Sequence, residues 1–216
     1  YAQAGKPSFA KVYQTFYAEE FDQISILDHH ALERAVSRAA LRCFFYALGV
    51  NADVEAYLVH FQDLRAMAEL LQYRSWLSGA QTTELEAMAQ ELTRIRRGLW
   101  QTCRGTPDVM ALLERFSTRG DPFPIETVFS DFITNMFAGI ETTTSSLMWM
   151  IDCLGRGAPV QAALLAALDE GNDAQIDGFR DETMRLFSPI PFVVRKVTRP
   201  VQFGATHLQA GDSMML

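Results

Sequence analysis

The chain has 216 residues, of which 49% are hydrophobic and 21% are charged, a balance typical of one soluble globular domain or a large piece of one. Its formal net charge of -7 argues against nucleic acid as a partner, because a phosphate-binding surface needs clustered lysine and arginine. No run of about 18 apolar residues occurs, so no membrane-spanning helix is expected.

The three cysteines, Cys43, Cys103 and Cys153, are scattered along the chain and lie within helical patterns. Their spacing predicts neither a disulfide framework nor a zinc site, so we expect no metal ligand in this chain. A reduced, cytoplasmic setting is therefore the default expectation. The four histidines are expected at the surface without a metal role. Because the chain begins at Tyr1, we also expect sequence upstream of it.

Apolar residues recur at spacings of three and four through the first half of the chain, which predicts a series of helices. In chain order these helices cover about 27–50, 53–71, 82–99 and 107–116. Gly49 is placed to end the first helix, and Asn51 or Asp53 can cap the second. Thr82 or Thr83 would open the third, and a proline in the first turn begins the fourth.

After a turn at residues 119–122, the longest predicted helix runs from about Pro124 to Leu154. At 1.5 Å per residue it would be about 45 Å long. Because it is apolar nearly all round, we expect it to be buried inside the protein. Two further helices are predicted over 159–168 and 174–187, and residues 192–216 read as short strands.

Helices first and a small sheet last predict a mainly α, α-rich α+β fold. We expect residues 1–216 to form a single domain. Within it, 1–121 would be a helical region, 122–155 the long helix, 156–187 further helices and 188–216 a small β region.

The middle of the long helix reads Ala138-Gly139-Ile140-Glu141-Thr142, which is poor material for a buried helix. Glycine costs about 1 kcal/mol relative to alanine, and a buried glutamate must be paired, hydrated or protonated. Hydroxyls that bond back to a preceding carbonyl loosen the helical ladder and admit water. Two interpretations are open: a glycine tolerated in a packing contact, or a segment weakened for function.

Glu182 and Arg185 are three residues apart in the last predicted helix, so they share a face and can form an ion pair. Glu91 and Arg94 have the same spacing and are expected to form an ordinary surface pair. The two pairs differ in the sequence downstream of them. A proline-rich segment and then Arg195 come after Arg185, and nothing comparable comes after Arg94.

Together these features resemble the cytochrome P450 family, haem-thiolate monooxygenases, and its soluble bacterial members in particular. The shared order is an alanine-glycine-x-acid-threonine helix, a Glu-x-x-Arg helix, a proline-rich exit and an arginine about ten residues further on. Trp149 also stands where the family places it. The resemblance is dense over residues 132–216 and is one of helix order over 27–116. It implies a P450 fold fragment with a long central helix and short C-terminal strands.

The resemblance implies haem b as the cofactor and assigns roles along the long helix. Ala138 and Gly139 would line the notch that holds dioxygen. Thr142 would donate a hydrogen bond to the bound oxygen, and Glu141 would relay protons from solvent.

The remaining implied roles lie mostly downstream. Glu182 and Arg185 would form a buried structural ion pair. Arg195 would bind a haem propionate, or else be a surface arginine at a strand edge. The residues implied to border the substrate pocket are Phe137, Pro191, Phe192 and Val193.

The family's haem ligand is a cysteine on a glycine-rich loop after the Glu-x-x-Arg helix. No cysteine is present after Arg185. Cys103 and Cys153 each precede a glycine by two residues, but both lie upstream on helices, so neither is expected to be the ligand. We therefore expect the chain to be an incomplete central portion of a P450, with a natural degenerate protein as the alternative.

The function implied is a haem-dependent monooxygenase that activates dioxygen and oxidises an apolar small molecule, such as a natural-product intermediate. Its electrons would come from a redox partner, a ferredoxin with its ferredoxin reductase. One alternative is a truncated, haem-free P450-like module that binds an apolar ligand without catalysis. Another is an unrelated helical protein in which the motifs coincide by chance.

Overall fold

A computed structural model of the protein describes residues 8–24, 28–74, 82–120 and 123–216, and leaves out the side chains of residues 67–74 and 82–85. These ranges contain eight α-helices and four short strands. The helices are α1 Phe9–Asp22, α2 His29–Leu48, α3 Val54–Arg74, α4 Thr82–Arg104, α5 Pro107–Ser117, α6 Ile125–Arg156, α7 Ala158–Glu170 and α8 Asp173–Leu186. The strands are β1 Val194–Lys196, β2 Val201–Phe203, β3 Thr206–Leu208 and β4 Ser213–Met215.

The chain divides into two compact units, with the boundary between Met148 and Trp149. The first unit holds α1 to α5 and most of α6, and the second holds the end of α6, the last two helices and the strands. The single-domain organisation inferred from the sequence stays a prediction.

Local sequence signals account for several helix ends. The carboxylate of Asp28 accepts a hydrogen bond from the backbone N–H of Ala31 at 2.7 Å and caps α2. Gly49, with a φ of 69°, ends that helix in the left-handed conformation that glycine adopts without strain. The predicted start at Leu27 and the turn at 121–122 lie outside the described residues. Helix α1 was not predicted from the sequence.

The core of the first unit is apolar and is built mainly by α2 to α6. Tyr57 lies at its centre, where its hydroxyl donates a hydrogen bond to Thr106 Oγ1 at 3.1 Å. Burial raises the pKa of this phenol, so it stays a neutral donor. Other fully buried members of the core are Leu41, Leu58, Phe61, Ile95, Leu99, Val109, Leu113, Met136 and Ile140.

Helix α6 buries one face and not its whole circumference. The buried residues Phe129, Phe132, Met136, Ile140 and Thr144 recur every three or four positions. The expectation of burial on all sides is wrong for the described structure. The physical reason is a stripe of small and polar residues on the opposite face, at positions 131, 134, 135, 138, 139 and 143, all of them exposed.

In the second unit, the four strands form two separate two-stranded antiparallel sheets among the described residues. Strand β1 pairs with β4, so that Arg195 lies opposite Met214. Strand β2 pairs with β3 through a tight turn at Gly204, whose φ of 58° favours glycine. The small β region predicted for residues 188–216 is therefore present as two small antiparallel sheets of two strands each.

Candidate functional site

Three hydroxyls near the middle of α6 bond back to their own helix. Thr142 Oγ1 donates to the Ala138 carbonyl at 2.8 Å, Thr143 Oγ1 to the Gly139 carbonyl at 2.7 Å, and Ser146 Oγ to the Thr142 carbonyl at 2.8 Å. The predicted back-bonding is present. The helix nevertheless runs unbroken from Ile125 to Arg156, so the loosening expected here does not interrupt it.

The backbone at Ala138 and Gly139 is open on its outer side. Both residues are exposed, and no atom outside the local helix backbone lies within 4 Å of the position that a Cβ on Gly139 would occupy. With no side chain at 139 and only a methyl group at 138, another group can approach the helix closely here.

Glu141 points toward other helices and is paired. Its Oε1 atom lies 3.2 Å from the Nε atom of Arg65 on α3, and Ser145 Oγ donates to the same oxygen at 3.3 Å. Arg65 also forms an ion pair with Glu33 on α2 through its Nη1 atom. Each of the three charged side chains is 24% exposed. The pairing meets the requirement that a carboxylate with little exposure to solvent be compensated.

Arg65 and Glu33 also line a cleft of about 380 Å³ between α2 and α3. His29 stands at its rim, with a side chain that is 72% exposed and an Nε2 atom 4.0 Å from Glu33 Oε2. The other lining residues are Ser37, Phe61, Gln62 and Ala66. Solvent therefore reaches the ion pair from the α2 side.

Glu182 and Arg185 form a two-pronged ion pair on α8, with Arg185 Nε donating to Oε2 at 2.7 Å and Nη2 to Oε1 at 2.6 Å. The pairing lowers the pKa of the carboxyl group and raises that of the guanidinium. The resemblance implies a buried pair, but here the side chains are 56% and 65% exposed. An ion pair as exposed as this one contributes little to the stability of the described chain.

Arg195 lies on β1 with its side chain exposed, and its Nη1 atom donates to the Val194 carbonyl at 3.0 Å. It forms no ion pair with a carboxylate in the described ranges. The proposed pocket residues lie in both units: Phe137 packs on the core of the first, and Pro191, Phe192 and Val193 lie before β1 in the second. Their shared role as a pocket stays a prediction.

The cysteines do not have the environment of a metal-bound thiolate. Cys43 and Cys103 are buried in helices, and burial raises the pKa of each thiol to about 11. Cys153 is partly buried on α6. Within residues 8–24, 28–74, 82–120 and 123–216, no three acidic, histidine or cysteine side chains converge as a metal site. Among the helices of those ranges, none combines the length and apolar character needed to span a bilayer.

Comparison with known proteins decides one of the questions left open by the sequence, whether the chain is a P450 or an unrelated helical protein. A family model described as cytochrome P450 matches residues 78–216, more than half of the chain. The chain belongs to the cytochrome P450 family. This membership excludes an unrelated helical protein in which the motifs coincide by chance.

Curated proteins similar to this chain include P450s of Mycobacterium and a synthase of Streptomyces. Cytochrome P450 135A1 of Mycobacterium tuberculosis is 31% identical over 105 residues, which cover 48% of this chain and 23% of the relative. Cytochrome P450 137 of the same species is 24% identical over 168 residues, 77% of this chain and 35% of that protein. Cyclooctatin synthase of Streptomyces melanosporofaciens is 28% identical over 103 residues, covering 42% of this chain and 22% of the synthase.

Solved P450 structures share the fold. Ligand-free cytochrome P450 TbtJ1 superimposes with a TM-score of 0.67 at 20% identity, over 96% of this chain and 53% of that one. CYP268A2 of Mycobacterium marinum in complex with pseudoionone gives 0.65 at 16% identity, over 96% and 50%. The chain thus spans about half the length of these P450s. At these identities the likeness establishes the fold, which is the predicted mainly α P450 fold.

Haem b is the cofactor of cytochrome P450s, and the residues present fit part of its surroundings. Ala138 and Gly139 leave the backbone of α6 open to another group, and the exposed guanidinium of Arg195 has the chemistry to bind a carboxylate such as a propionate. Neither Cys43 nor Cys103 fits the axial position, because each thiol is buried and neutral at pH 7.

The sequence did not identify Arg65 or Glu33 as partners of Glu141. Both lie on helices whose periodicity was recognised, but the pairing joins residues far apart in the chain. One signal was available: a glutamate on the buried face of a helix must be paired, hydrated or protonated, and Arg65, which comes directly after Leu64 on a predominantly apolar segment of α3, is a candidate partner.

Proposed function

We propose that the full-length protein is a haem-dependent monooxygenase that inserts one oxygen atom from dioxygen into an apolar small molecule. The observation that carries the proposal is on α6, where the Thr142 hydroxyl bonds to the carbonyl of Ala138 beside the open step at Gly139, and Glu141 comes directly before Thr142 in the sequence. Membership of the P450 family supports it. Haem, when bound, supplies the iron at which dioxygen is reduced.

In this proposal Thr142 binds and orients oxygen, and Glu141 supplies protons. The Thr142 hydroxyl now donates to the Ala138 carbonyl at 2.8 Å, and rotation about χ1 would turn it outward without moving the helix. A hydroxyl both donates and accepts, so it can pass on a proton and be reprotonated by a neighbouring carboxyl. Glu141, with Ser145 3.3 Å away, is the nearest such group on the helix.

Ala138 and Gly139 would hold oxygen close to the helix backbone, and Arg195 would anchor a propionate. Glu182 and Arg185 would keep α8 in place as a structural pair. Phe137, Pro191, Phe192 and Val193 would border the substrate. Their apolar character favours a hydrophobic substrate.

For electrons we propose a ferredoxin and its reductase, and for location the cytoplasm. A natural-product intermediate is a suitable substrate class, since cyclooctatin synthase is among the similar proteins.

Carbon monoxide difference spectroscopy on the reduced full-length protein tests the proposal. We expect the Soret band characteristic of haem-thiolate proteins, and we expect Arg195→Leu to weaken haem retention. The control variant is Arg199→Leu, an exposed arginine on the loop before β2, which should leave retention unchanged. A full-length protein that folds but shows no such band would support the haem-free binding module instead.

A further inference from the structure

The phenyl ring of Phe137 on α6 packs against the phenyl ring of Phe61 on α3. The two ring centroids lie 5.8 Å apart with an interplanar angle of 47°, a separation at which aromatic rings attract each other beyond the effect of their buried area. The two side chains differ in burial, because Phe61 is 1% exposed whereas Phe137 is only partly buried. An enclosed ring therefore lies directly behind a ring that is nearer the surface.

Phe137 stands at the border between the two faces of α6. Met136 and Ile140, on the buried face, are almost fully enclosed, whereas Ala138 and Gly139 are exposed. The two exposed residues offer at most one methyl group, so they cannot hold the phenyl ring of Phe137 from the open side. Restraint of this ring must come from the core side, where Phe61 contacts it.

The surroundings of Phe61 suit it to that role. Its side chain belongs to the core of the first unit, where close packing keeps side chains in defined rotamers. Phe61 also lines the cleft of about 380 Å³ between α2 and α3. A smaller side chain at position 61 would therefore open space behind Phe137 and let the Phe137 ring move toward α3.

We propose that Phe61 is a positioning residue for substrate specificity: its enclosed ring fixes the orientation of the Phe137 ring beside the open step at Gly139, and with it the position of one wall of the proposed substrate pocket. The inference rests on the proposed function, in which Phe137 borders the substrate. It adds Phe61, which acts on the pocket through Phe137.

A second pair of phenyl rings on α6 provides a matched control. Phe44 on α2 packs against Phe132 on α6, with centroids 5.8 Å apart and an interplanar angle of 54°, so the geometry of the two pairs is almost the same. Phe132 belongs to the buried face of α6 and precedes Phe137 by more than one helical turn. Phe44→Leu thus removes a comparable ring contact away from the open step.

Ring-flip rates of phenylalanine side chains, measured by NMR on the full-length protein, test the restraint without haem. The Phe137 signal is assigned by its loss in Phe137→Leu. Loss of the ring contact lowers the barrier to the flip, so we expect Phe61→Leu to speed the flip of Phe137 by about two- to tenfold. Phe61→Met fills the space without a ring, should also speed the flip, and serves if the leucine variant does not fold. Phe44→Leu should leave the Phe137 rate unchanged.

Two nitrogen ligands of different size, imidazole and phenylimidazole, test the effect on the pocket in the haem-loaded protein. Both bind haem iron through an imidazole nitrogen, so the shift of the Soret band reports the affinity of each. The ratio of the two affinities does not depend on haem content or on a general loss of stability. We expect Phe61→Leu to raise the affinity for phenylimidazole relative to imidazole by about two- to tenfold, because Phe137 can move back. Phe44→Leu should leave the ratio unchanged.

A faster flip of Phe137 and a raised affinity ratio in the Phe61 variants, with neither effect in Phe44→Leu, would support the inference. An unchanged flip rate in a folded Phe61 variant, equal effects from Phe44→Leu, or a faster flip with an unchanged ratio would overturn it. A full-length protein that shows no haem-thiolate band would refute the proposed monooxygenase, and the flip rates would still show whether Phe61 restrains Phe137. The two ideas therefore fail on different measurements.

Discussion

The indole ring of Trp149 lies nearly parallel to the phenyl ring of Phe187, with 4.5 Å between their centroids and an interplanar angle of 13°. The contact joins the last turns of α6 to the residue that caps the C-terminal end of α8. Both residues belong to the second unit, which has few buried residues of its own in the described chain. The stacked pair therefore carries a large part of the packing between these helices.

Replacing Trp149 with alanine should lower the free energy of unfolding of the second unit. The lost ring pair accounts for about 0.5–1.5 kcal/mol, in addition to the apolar area uncovered. Trp149→Phe keeps an aromatic partner and should retain most of this stability. Phe203→Ala, at a side chain that is 65% exposed, is the control. Urea unfolding monitored by circular dichroism gives the comparison, and equal losses for Trp149→Ala and Phe203→Ala would contradict the role of the stack.

Glu20 should be important for the stability of the first unit. It is 5% exposed and pairs with Arg42 at 2.9 Å and Arg38 at 3.0 Å. Removing one partner from a buried charge network typically costs about 3–5 kcal/mol, so Glu20→Ala should lower the urea midpoint strongly. Glu19 is half exposed and also binds Arg42, so Glu19→Ala should cost about 1 kcal/mol or less. Similar losses for the two variants would show that burial does not set the difference.

Gly139→Ala should make the protein more stable but slow the proposed reaction. Nothing outside the local helix backbone obstructs a methyl group there, so the substitution should raise the free energy of unfolding by about 0.5–1 kcal/mol. In the full-length protein the same methyl group would occupy the proposed oxygen notch and slow product formation. The control is Gly178→Ala on α8, where a methyl group is also unobstructed. This substitution should raise the free energy of unfolding by a similar amount and leave product formation unchanged. A Gly139→Ala enzyme with unchanged turnover would remove the functional argument for this glycine.

Thr142→Ala should uncouple the proposed enzyme, so that reducing equivalents yield hydrogen peroxide in place of product. The reason is loss of the hydroxyl that orients oxygen and passes it protons. Thr143→Ala removes a hydroxyl with the same kind of back-bond, to Gly139 at 2.7 Å, but leaves Glu141 and Thr142 intact. Peroxide released per electron pair consumed is the measurement, and equal uncoupling in both variants would argue against a specific role for Thr142.

Acidification should weaken the packing of α3 on α4 through His60. Burial lowers the pKa of this imidazole from its usual 6.5, with Arg94 adding to the effect and Asp63 opposing it. The unfolded state therefore binds a proton at higher pH than the folded state, and stability is lost as pH falls below about 6.5. His60→Gln should flatten the curve of unfolding free energy against pH over this window. An unchanged slope would show that other groups cause the dependence.

His60 also shows where interpretation of the sequence fell short. All four histidines were expected at the surface, but His60 is partly buried, with its Nε2 atom 3.1 Å from Thr102 Oγ1. Gly98 on α4 makes room for the ring, because a Cβ there would lie 2.6 Å from His60 Cε1. This fit depends on how the two helices pack against each other, and the spacing of apolar residues along one helix does not predict it.

Local signals predicted the fold well where the chemistry is local. Gly49 ends α2 and Pro107 begins α5 as expected, because backbone conformation and a missing N–H are properties of single residues. The one-sided burial of α6 was not predicted. Most residues of this helix are apolar, and the stripe of small and polar residues on one face was therefore overlooked. The partners of Glu141 were missed because ion pairs between helices depend on how those helices pack.

The back-bonded threonines of α6 have a kinetic consequence. A hydroxyl hydrogen-bonded to its own helix already has a partner, so it can leave that partner and return while the backbone stays still. Side-chain rotation of this kind takes picoseconds to nanoseconds. In the proposed enzyme, Thr142 would therefore alternate between a resting and an engaged rotamer many times within one turnover, and recruiting it would require no conformational change of the helix.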